Sequence, residues 1–193
     1  MKILVLYAHP VETSFNAALH RLIVERLTLA GHAVDDLNLY AENFDPRLTH
    51  GERLAYHDPR GPQDCVDPYV RRLLAAEGLV LSFPVWNYGY PAILKGFFDR
   101  VFLPGVSFML VDGKVQPSLH NIRKVVAVTT YGGSWFRAAL MGNPPKRLVN
   151  RVLRATVKPG APVSYFAHYS MNLSTQESRE NFMAKVAARM DSF

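Results

Sequence analysis

Residues 2–8 read KILVLYA, an apolar block that ends where His9 and Pro10 begin a polar segment. Two further blocks share its character, GLVLSFP at 78–84 and RKVVAVTT at 123–130. Each block is largely continuous rather than alternating in its apolar residues, which is typical of a strand covered by other elements on both faces. The three blocks therefore predict the central strands of a parallel sheet.

Two weaker blocks predict strands at 34–39, which two aspartates interrupt, and at 162–168, which alternates and suits an edge. Segments with helical spacing of apolar residues lie between the strands. Gly31 stands where the first helix would be capped, and Ser174 and Glu177 have the spacing of a capping box for the last helix. The five predicted helices cover residues 14–30, 68–77, 91–102, 145–157 and 174–190.

The alternation of strands and helices predicts an α/β fold, because right-handed crossovers place helices on both faces of a mainly parallel sheet. The order of elements is compatible with a flavodoxin-like three-layer sandwich with five parallel strands in the order 2-1-3-4-5. We expect a single domain over residues 1–193. The long loops at 40–66 and 104–122 are favoured as lids or interface elements, and VDGK at 111–114 is a hairpin-turn signal.

The composition narrows the class of protein. Of the 193 residues 49% are hydrophobic and 20% charged, which excludes a wholly disordered chain. Lys and Arg number 22 against 16 Asp and Glu, and this net charge of +6 favours acidic ligands or surfaces. The single cysteine, Cys65, allows no internal disulfide and fits a reducing compartment. No segment reads as a signal peptide or membrane span, so we expect a cytoplasmic protein without membrane insertion.

Ligands of an open parallel sheet bind beyond the carboxyl ends of the strands, where the strand order reverses. The loops after strands one, three and four are therefore the informative ones. The first of them runs into a helix N-terminus, whose N–H groups and dipole favour a phosphate, although Thr13 or Ser14 could merely cap the helix. The candidate binding residues of this loop are His9, Thr13, Ser14, Phe15 and Asn16.

The loops after strands three and four combine aromatic residues with glycine. Three aromatics in PVWNYGYP at 84–91 need a flat partner, a neighbouring loop or a second subunit to cover them. The paired glycines of the fourth loop allow close backbone approach, and Tyr131 and Trp135 add two more aromatics. An anion site beside a flat-ring site describes a phosphorylated aromatic cofactor, and flavin is the best match. The candidate residues here are Pro84, Val85, Trp86, Asn87, Tyr88, Thr130, Tyr131, Gly132 and Gly133.

Three motifs together resemble a known family. They are His9 with TSFN at 13–16, FP at 83–84 followed by PAILKGFFDRVF at 91–102, and TT at 129–130 with glycines at 132–133. In order and spacing they look like the NAD(P)H:quinone oxidoreductase family of flavodoxin-like flavoproteins, and the second motif is the specific one. The resemblance implies a tightly bound flavin, two-electron reduction of quinones or similar acceptors by NAD(P)H in a ping-pong cycle, and a homodimer with the active site at its interface.

The chain also departs from that family. The segment 134–143 offers neither the tyrosine nor the histidine that follows the glycines in the mammalian branch, and Tyr131 is an apparent insertion. We therefore assign no catalytic acid or base, because the flavin would carry the hydride chemistry. The extension that covers an adenine in the longer members is missing too, which favours FMN and leaves FAD open. The resemblance implies a packing and dimer-facing role for residues 95–100.

The histidines other than His9 and a run of basic residues are assigned no binding site. The seven histidines lack metal-ligand spacing, so no metal is expected; His20 and His32 are interpreted as surface residues and His168 as packed or solvated. Four basic residues are predicted to share one face of the fourth helix as a solvated stripe. These are Arg147, Arg151, Arg154 and Lys158. The better candidates to meet a nicotinamide dinucleotide phosphate are Arg137, Lys146 and Arg147.

Two alternative functions stay open at this point. One is an ancillary regulatory subunit of a glutathione-gated potassium efflux system with weak reductase activity. The other is a one-electron carrier of the flavodoxin type, or a phosphate-binding module without catalysis. Carriers of that type are usually acidic, so the basic net charge weighs against them, and nothing besides the charge supports nucleic-acid binding.

Overall fold

The structure is a computed structural model that describes residues 1–57 and 66–193, so Cys65 lies outside the described residues. Seven strands occur in the described chain. They are β1 (Lys2–Tyr7), β2 (Ala33–Asn38), β3 (Gly78–Val85), β4 (Phe108–Val111), β5 (Lys114–Pro117), β6 (Lys124–Tyr131) and β7 (Val163–His168). Five of them form one parallel sheet in the order β2-β1-β3-β6-β7.

The parallel sheet has the order 2-1-3-6-7 instead of the predicted 2-1-3-4-5, because two strands that were not predicted, β4 and β5, precede the fourth strand of the sheet. β4 and β5 pair with each other as a separate antiparallel hairpin inside the predicted loop 104–122. The Asp112-Gly113 turn that joins them has positive φ at both residues, as the hairpin-turn signal requires. β4 and β5 have only four residues each and are mostly exposed, so the sequence shows no clear strand pattern there.

Helices cover both faces of the sheet. Those before β6 are α1 (Phe15–Leu29), α2 (His50–Leu54), α3 (Asp67–Ala75) and α4 (Ala92–Val101). Those after β6 are α5 (Trp135–Leu140), α6 (Pro144–Arg147), a π-helical segment (Leu148–Leu153), α7 (Arg154–Thr156), a 3-10 turn (Met171–Leu173) and α8 (Gln176–Asp191). None of the described helices is long and apolar enough to cross a bilayer.

Alternate residues of the central strands supply two hydrophobic cores, one on each face of the sheet. Leu4 of β1 belongs to the core that contains Phe97 of α4. Its neighbour Val5 belongs to the other core, with Ile23 of α1 and Val186 of α8. Because both faces of β1, β3 and β6 are covered, their side chains are buried almost without interruption, which explains the continuous apolar blocks in the sequence.

Two predicted helix boundaries meet different outcomes. Gly31 has φ +79° just after α1, so the expected glycine at the end of this helix is confirmed. The predicted capping box of the last helix is wrong by one residue. Thr175 and Ser178 form it instead, each side chain bonding the other residue's backbone N–H at 3.1 Å, because Ser174 lies in the turn before the helix.

The four residues of the predicted basic stripe are exposed, as expected, but they do not lie on one regular helix. The helix is wound as a π-helix over Leu148–Leu153, which rotates the later residues away from the regular 3.6-residue spacing. Arg154 donates to the carbonyl of Val163 in β7, and Lys158 lies beyond the helix end. Of the four, only Arg147 and Arg151 line a common cavity.

His20 is likewise not the surface residue expected from the sequence. Its ring is 9% exposed, stacks on Tyr7 with 4.1 Å between ring centroids, and bonds Asp36 at 2.7 Å. The stack joins α1 to β1 directly behind the loop that follows this strand.

Candidate functional site

The carboxyl ends of β1, β3 and β6 surround an open cleft of about 680 Å3. Every predicted binding residue except the exposed Thr13 lines it. The sequence analysis missed two lining residues, Met171 and Asn172, which follow β7. The residues that line the cleft are His9, Ser14, Phe15, Asn16, Pro84, Val85, Trp86, Asn87, Tyr88, Thr130, Tyr131, Gly132, Gly133, Met171 and Asn172.

The N-terminus of α1 opens into this cleft. Ser14 is the N-cap, and its Oγ accepts from the backbone N–H of Ala17 at 3.1 Å, so the capping interpretation is confirmed for this residue. Phe15 and Asn16 occupy the first two helical positions, whose N–H groups have no acceptor within a helix. With the helix dipole, these N–H groups favour an anion at this end of the cleft.

His9 is held as a neutral side chain at the same end. Its Nδ1 accepts from the backbone N–H of Val11 at 3.0 Å, and Ser14 Oγ lies 3.2 Å from the same atom. Burial lowers the pKa of His9 below its ordinary value. With Nδ1 occupied as an acceptor, Nε2 carries the ring hydrogen, and His9 offers a neutral donor rather than a charge.

A buried polar contact ties the helix N-terminus to the centre of the sheet. Asn16 donates from Nδ2 to Thr130 Oγ1 at 2.8 Å, and Ser82 Oγ lies 3.5 Å from Asn16 Oδ1. All three side chains are buried. Because they come from α1, β6 and β3, this contact fixes the relative positions of the cleft's three walls.

The loop after β3 makes a tight turn at the cleft. Trp86 and Gly89 exchange both backbone hydrogen bonds, at 3.3 and 2.8 Å. Asn87 and Tyr88 between them have φ of 48° and 57°, the two positive values of a type I′ turn. The N–H groups of these two residues are outside that pair of bonds, and the indole of Trp86 is 43% exposed. The turn therefore presents backbone donors and aromatic surface together.

Two aromatics of the predicted loops, neither of them named as a binding residue, lie away from the cleft. Tyr90 packs edge-on against Phe83 with centroids 4.9 Å apart, so it is part of the core behind the loop. Trp135 begins α5 and points into a neighbouring cavity instead of the cleft. Sequence position alone placed both residues in the right loops, but the chain turns after Gly89 and after Ser134 and carries them away.

Gly132 and Gly133 form the wall opposite this turn, so this wall consists mainly of backbone atoms. A Cβ on Gly133 would stand in van der Waals contact with the hydroxyl of Tyr88, 3.6 Å away, so the two residues face each other across the cleft. Ser170, in a left-handed conformation, donates its N–H to the carbonyl of Gly133 at 2.9 Å. That bond brings Met171 and Asn172 to the rim. The available signal was their position after a strand of the same sheet, at the same carboxyl edge.

A cluster of tyrosines supports the floor of the cleft. Tyr131 OH donates to Asn143 Oδ1 at 2.6 Å and lies 2.6 Å from Tyr165 OH. The amide of Asn143 reaches Tyr169 OH at 3.3 Å. Burial raises the pKa of Tyr131 and of Tyr165, so both hydroxyls remain protonated and keep these bonds.

The cleft is thus an uncharged slot with an anion-favouring end. Within the described chain, no Asp, Glu, Lys or Arg side chain lines it. Among residues 1–57 and 66–193 no three His, Cys, Asp or Glu side chains are grouped as metal ligands. The arrangement suits a flat, hydrogen-bonding molecule that carries a phosphate.

Residues 1–192 match the family model described as flavodoxin-like fold. The chain belongs to the flavodoxin-like fold family. It is 31% identical over 156 residues to NAD(P)H dehydrogenase (quinone) 1 of Rattus norvegicus, an alignment covering 72% of this chain and 56% of that protein. The chain therefore spans little more than half the length of this relative.

Solved structures also share this fold. The NAD(P)H:quinone oxidoreductase from Methanothermobacter marburgensis superimposes with a TM-score of 0.85 at 25% identity, over 99% of this chain and 98% of that one. An FMN-dependent NADH-azoreductase from Bacillus anthracis, solved in complex with FMN, gives a TM-score of 0.78 at 15% identity, over 99% and 98%. The resemblance to the quinone oxidoreductases stated from the sequence is confirmed by these relatives.

Proposed function

We propose that this chain is a flavin-dependent NAD(P)H oxidoreductase that reduces quinones or similar acceptors. The observation that carries the proposal is the cleft itself. It combines the N-terminus of α1, the type I′ turn at 86–89 and the side-chain-free wall at 132–133 in one slot. The relatives named as NAD(P)H dehydrogenases and quinone oxidoreductases support the same activity.

The residues present fit an FMN molecule. Its phosphate would lie at the N-terminus of α1, against Ser14, Phe15 and Asn16, with His9 as a neutral donor. Its ring system would lie between the turn that carries Trp86 and the glycine wall, where backbone N–H groups meet its polar edge. The FMN-bound azoreductase of the same fold supports FMN, and FAD is the alternative that an experiment must separate.

When bound, the flavin supplies the ability to accept and return a hydride. The chain's own contribution is to bind and orient. The N–H groups of α1 and of the turn fix the ends of the ligand, and Trp86 and Tyr88 exclude water from one side. The slot is open on its remaining side, so donor and acceptor would use it in succession, as a ping-pong cycle requires. We assign no catalytic acid or base, because the nearby tyrosine hydroxyls of the floor are engaged with one another.

A homodimer is part of the proposal. α4 and the π-helical segment border an apolar groove of about 260 Å3. Phe98, Leu148 and the half-exposed Val152 line it, and Lys95 and Asp99 form an ion pair at its edge. A second copy would cover this groove, and the resemblance to the quinone oxidoreductases implies that it would contribute to the walls of the slot while leaving its entrance open. The expected cytoplasmic location stays a prediction.

Anaerobic titration with NADPH and with NADH tests the proposed function. We expect flavin absorbance to bleach completely with one equivalent of dinucleotide and to return on addition of a quinone. A one-electron carrier would instead react slowly with NAD(P)H and accept electrons in two separate stages. Absence of any bleaching by either dinucleotide in flavin-loaded protein would contradict the proposal.

Light scattering tests the dimer separately. Val152→Glu would place a charge in the groove, and we expect the mass in solution to fall from that of two chains to that of one. Leu54→Glu is the matched control, because Leu54 is 75% exposed on α2, outside the groove. A monomeric wild-type protein, or a dimer unaffected by Val152→Glu, would contradict this part.

A further inference from the structure

A second cavity of about 360 Å3 adjoins the cleft. It lies between α5 and the π-helical segment. The residues that line it include Trp135, Asn143, Lys146, Arg147, Asn150 and Arg151. We propose that this cavity binds the adenosine 2′-phosphate end of NADPH and makes the enzyme selective for NADPH over NADH. The inference rests on the proposed function, because it assigns the electron donor of that site.

The first support is a strong local excess of positive charge. Residues 113–176 contain nine Lys and Arg and not one Asp or Glu, while acidic residues outnumber basic ones in the rest of the chain. The net charge of +6 therefore originates in this segment. Lys146, Arg147 and Arg151 line the cavity, and within the described part of the chain none of them forms an ion pair with a carboxylate.

The local backbone brings these three cations together. Lys146 and Arg151 are five residues apart, a separation that a regular α-helix would turn about 140° around its axis. Both nevertheless line the cavity, Lys146 from α6 and Arg151 from the π-helical segment that follows it, whose repeat is i to i+5. The Arg147 guanidinium covers Gly142, whose φ is +75°; a Cβ there would stand 3.4–3.7 Å from its atoms.

The remaining lining residues indicate what the anion is attached to. The indole of Trp135 is 63% exposed, so it offers a free flat face for a base. The Oδ1 atom of Asn150 is buried and has no hydrogen-bond partner within the described chain. A buried acceptor of this kind is costly, so a small rotation that turns it toward an amino or sugar hydroxyl group of a nucleotide in the cavity would be favourable. The cavity thus offers a contact for the base, for the sugar and for the phosphate of a nucleotide.

One hydrogen bond joins the wall of the cavity to the wall of the cleft. Asn143 lines the cavity and accepts the hydrogen bond of Tyr131, which lines the cleft, at 2.6 Å. Trp135 follows the glycine wall by only two residues. In the proposed arrangement, a dinucleotide places its nicotinamide in the cleft and extends along the exposed side of α5, so that its adenosine enters the cavity. The 2′-phosphate is the group that NADPH has and NADH lacks, and guanidinium groups bind it in bidentate fashion.

Calorimetry on the flavin-loaded protein tests the cavity without relying on turnover. The probes are adenosine 2′,5′-bisphosphate and ADP, which share the base and sugar and differ in the 2′-phosphate. We expect the bisphosphate to bind at least ten times more tightly. Arg147→Gln and Arg151→Gln should each remove most of this preference, whereas Trp135→Ala should weaken both probes and keep their ratio.

Arg154→Gln is the matched control. It removes one positive charge from the same segment, but the Arg154 side chain points to the Val163 carbonyl and lies outside the cavity. We expect its preference for the bisphosphate to equal that of the wild type. Equal binding of the two probes, or a loss in Arg154→Gln as large as that in Arg147→Gln, would overturn the inference, because a general charge effect would then explain the attraction.

Steady-state kinetics separates this inference from the proposed function. The ratio of kcat/KM for NADPH to that for NADH should exceed ten in the wild type and fall at least fivefold in Arg147→Gln, through KM. Flavin content should stay constant across the variants. If neither dinucleotide reduces the flavin, the proposed function fails while the calorimetry still reports on the cavity. If both reduce it with equal kcat/KM, only the NADPH selectivity fails.

Discussion

The side chains of Asn16 and Thr130 are joined by a 2.8 Å hydrogen bond across 114 residues of sequence. Asn16 belongs to the first turn of α1 and Thr130 to the carboxyl end of β6, and both are buried. The bond holds the anion-favouring end of the cleft against the wall formed by the end of β6.

Thr130→Val should destabilise the protein, because it leaves the Asn16 amide buried without its acceptor. We expect a loss of about 1–3 kcal/mol in the free energy of unfolding. In a double-mutant cycle with Asn16→Ala, measured by urea unfolding, the two changes should couple by about 1 kcal/mol. Strictly additive effects would show that the bond does not link the two elements energetically.

The type I′ turn should be needed for FMN affinity through its backbone. Asn87→Val places a β-branched residue at φ 48°, which costs about 1–2 kcal/mol and should reshape the turn. We expect FMN to bind about ten times more weakly, as measured by quenching of flavin fluorescence. Asn87→Gly is the control, since glycine adopts this φ freely and should keep near wild-type affinity. A reversed ranking would contradict a backbone role.

The burial of His9 should make the free energy of unfolding depend on pH. Burial lowers the pKa of His9 below its ordinary value near 6.5, so the unfolded chain takes up this proton first as the pH falls. The free energy of unfolding of the apoprotein should therefore decrease as the pH is lowered through 6.5. His32 and His168 have the same sign, because burial lowers the pKa of each.

His9→Asn removes one of these titrations and keeps an acceptor for the Val11 N–H. We expect a shallower decrease of the unfolding free energy between pH 7 and 5, measured by urea unfolding at several pH values. An unchanged or steeper slope in the variant would show that His9 is not held neutral in the fold.

Gly96 allows α4 to approach the segment that follows β2. A Cβ at this position would overlap the backbone oxygen and Cα of Pro46. Gly96→Ala should therefore cost about 3 kcal/mol in thermal or urea unfolding. Gly51→Ala is the matched control, because a Cβ at Gly51 in α2 meets open space, and it should be neutral or stabilising by about 0.5 kcal/mol. Equal effects of the two changes would contradict the close approach.

The central strands and the main binding loops could be predicted because burial on both faces leaves a direct signature. The apolar blocks that contain Leu4, Leu79 and Val125 each became a sheet strand. Since ligand loops of such a sheet meet at its carboxyl edge, the positions of His9 and Trp86 followed from the strand order alone.

What the sequence could not show depends on contacts between distant segments. The burial of His20 needs Tyr7 and Asp36 beside it, and the arrival of Asn172 at the cleft needs the bond from Ser170 to Gly133. The π-helical winding that separates Arg154 from Arg151 carries no local composition signal. The single-domain expectation for 1–193 stays a prediction.

Release and mass determination of the bound cofactor test the central claim most directly. The cleft is predicted to hold one flavin per chain, so the purified protein should be yellow, and heat or acid should release one equivalent of FMN of the correct mass. Apoprotein should rebind it in a one-to-one ratio. A colourless protein that neither releases nor rebinds FMN or FAD would contradict the account.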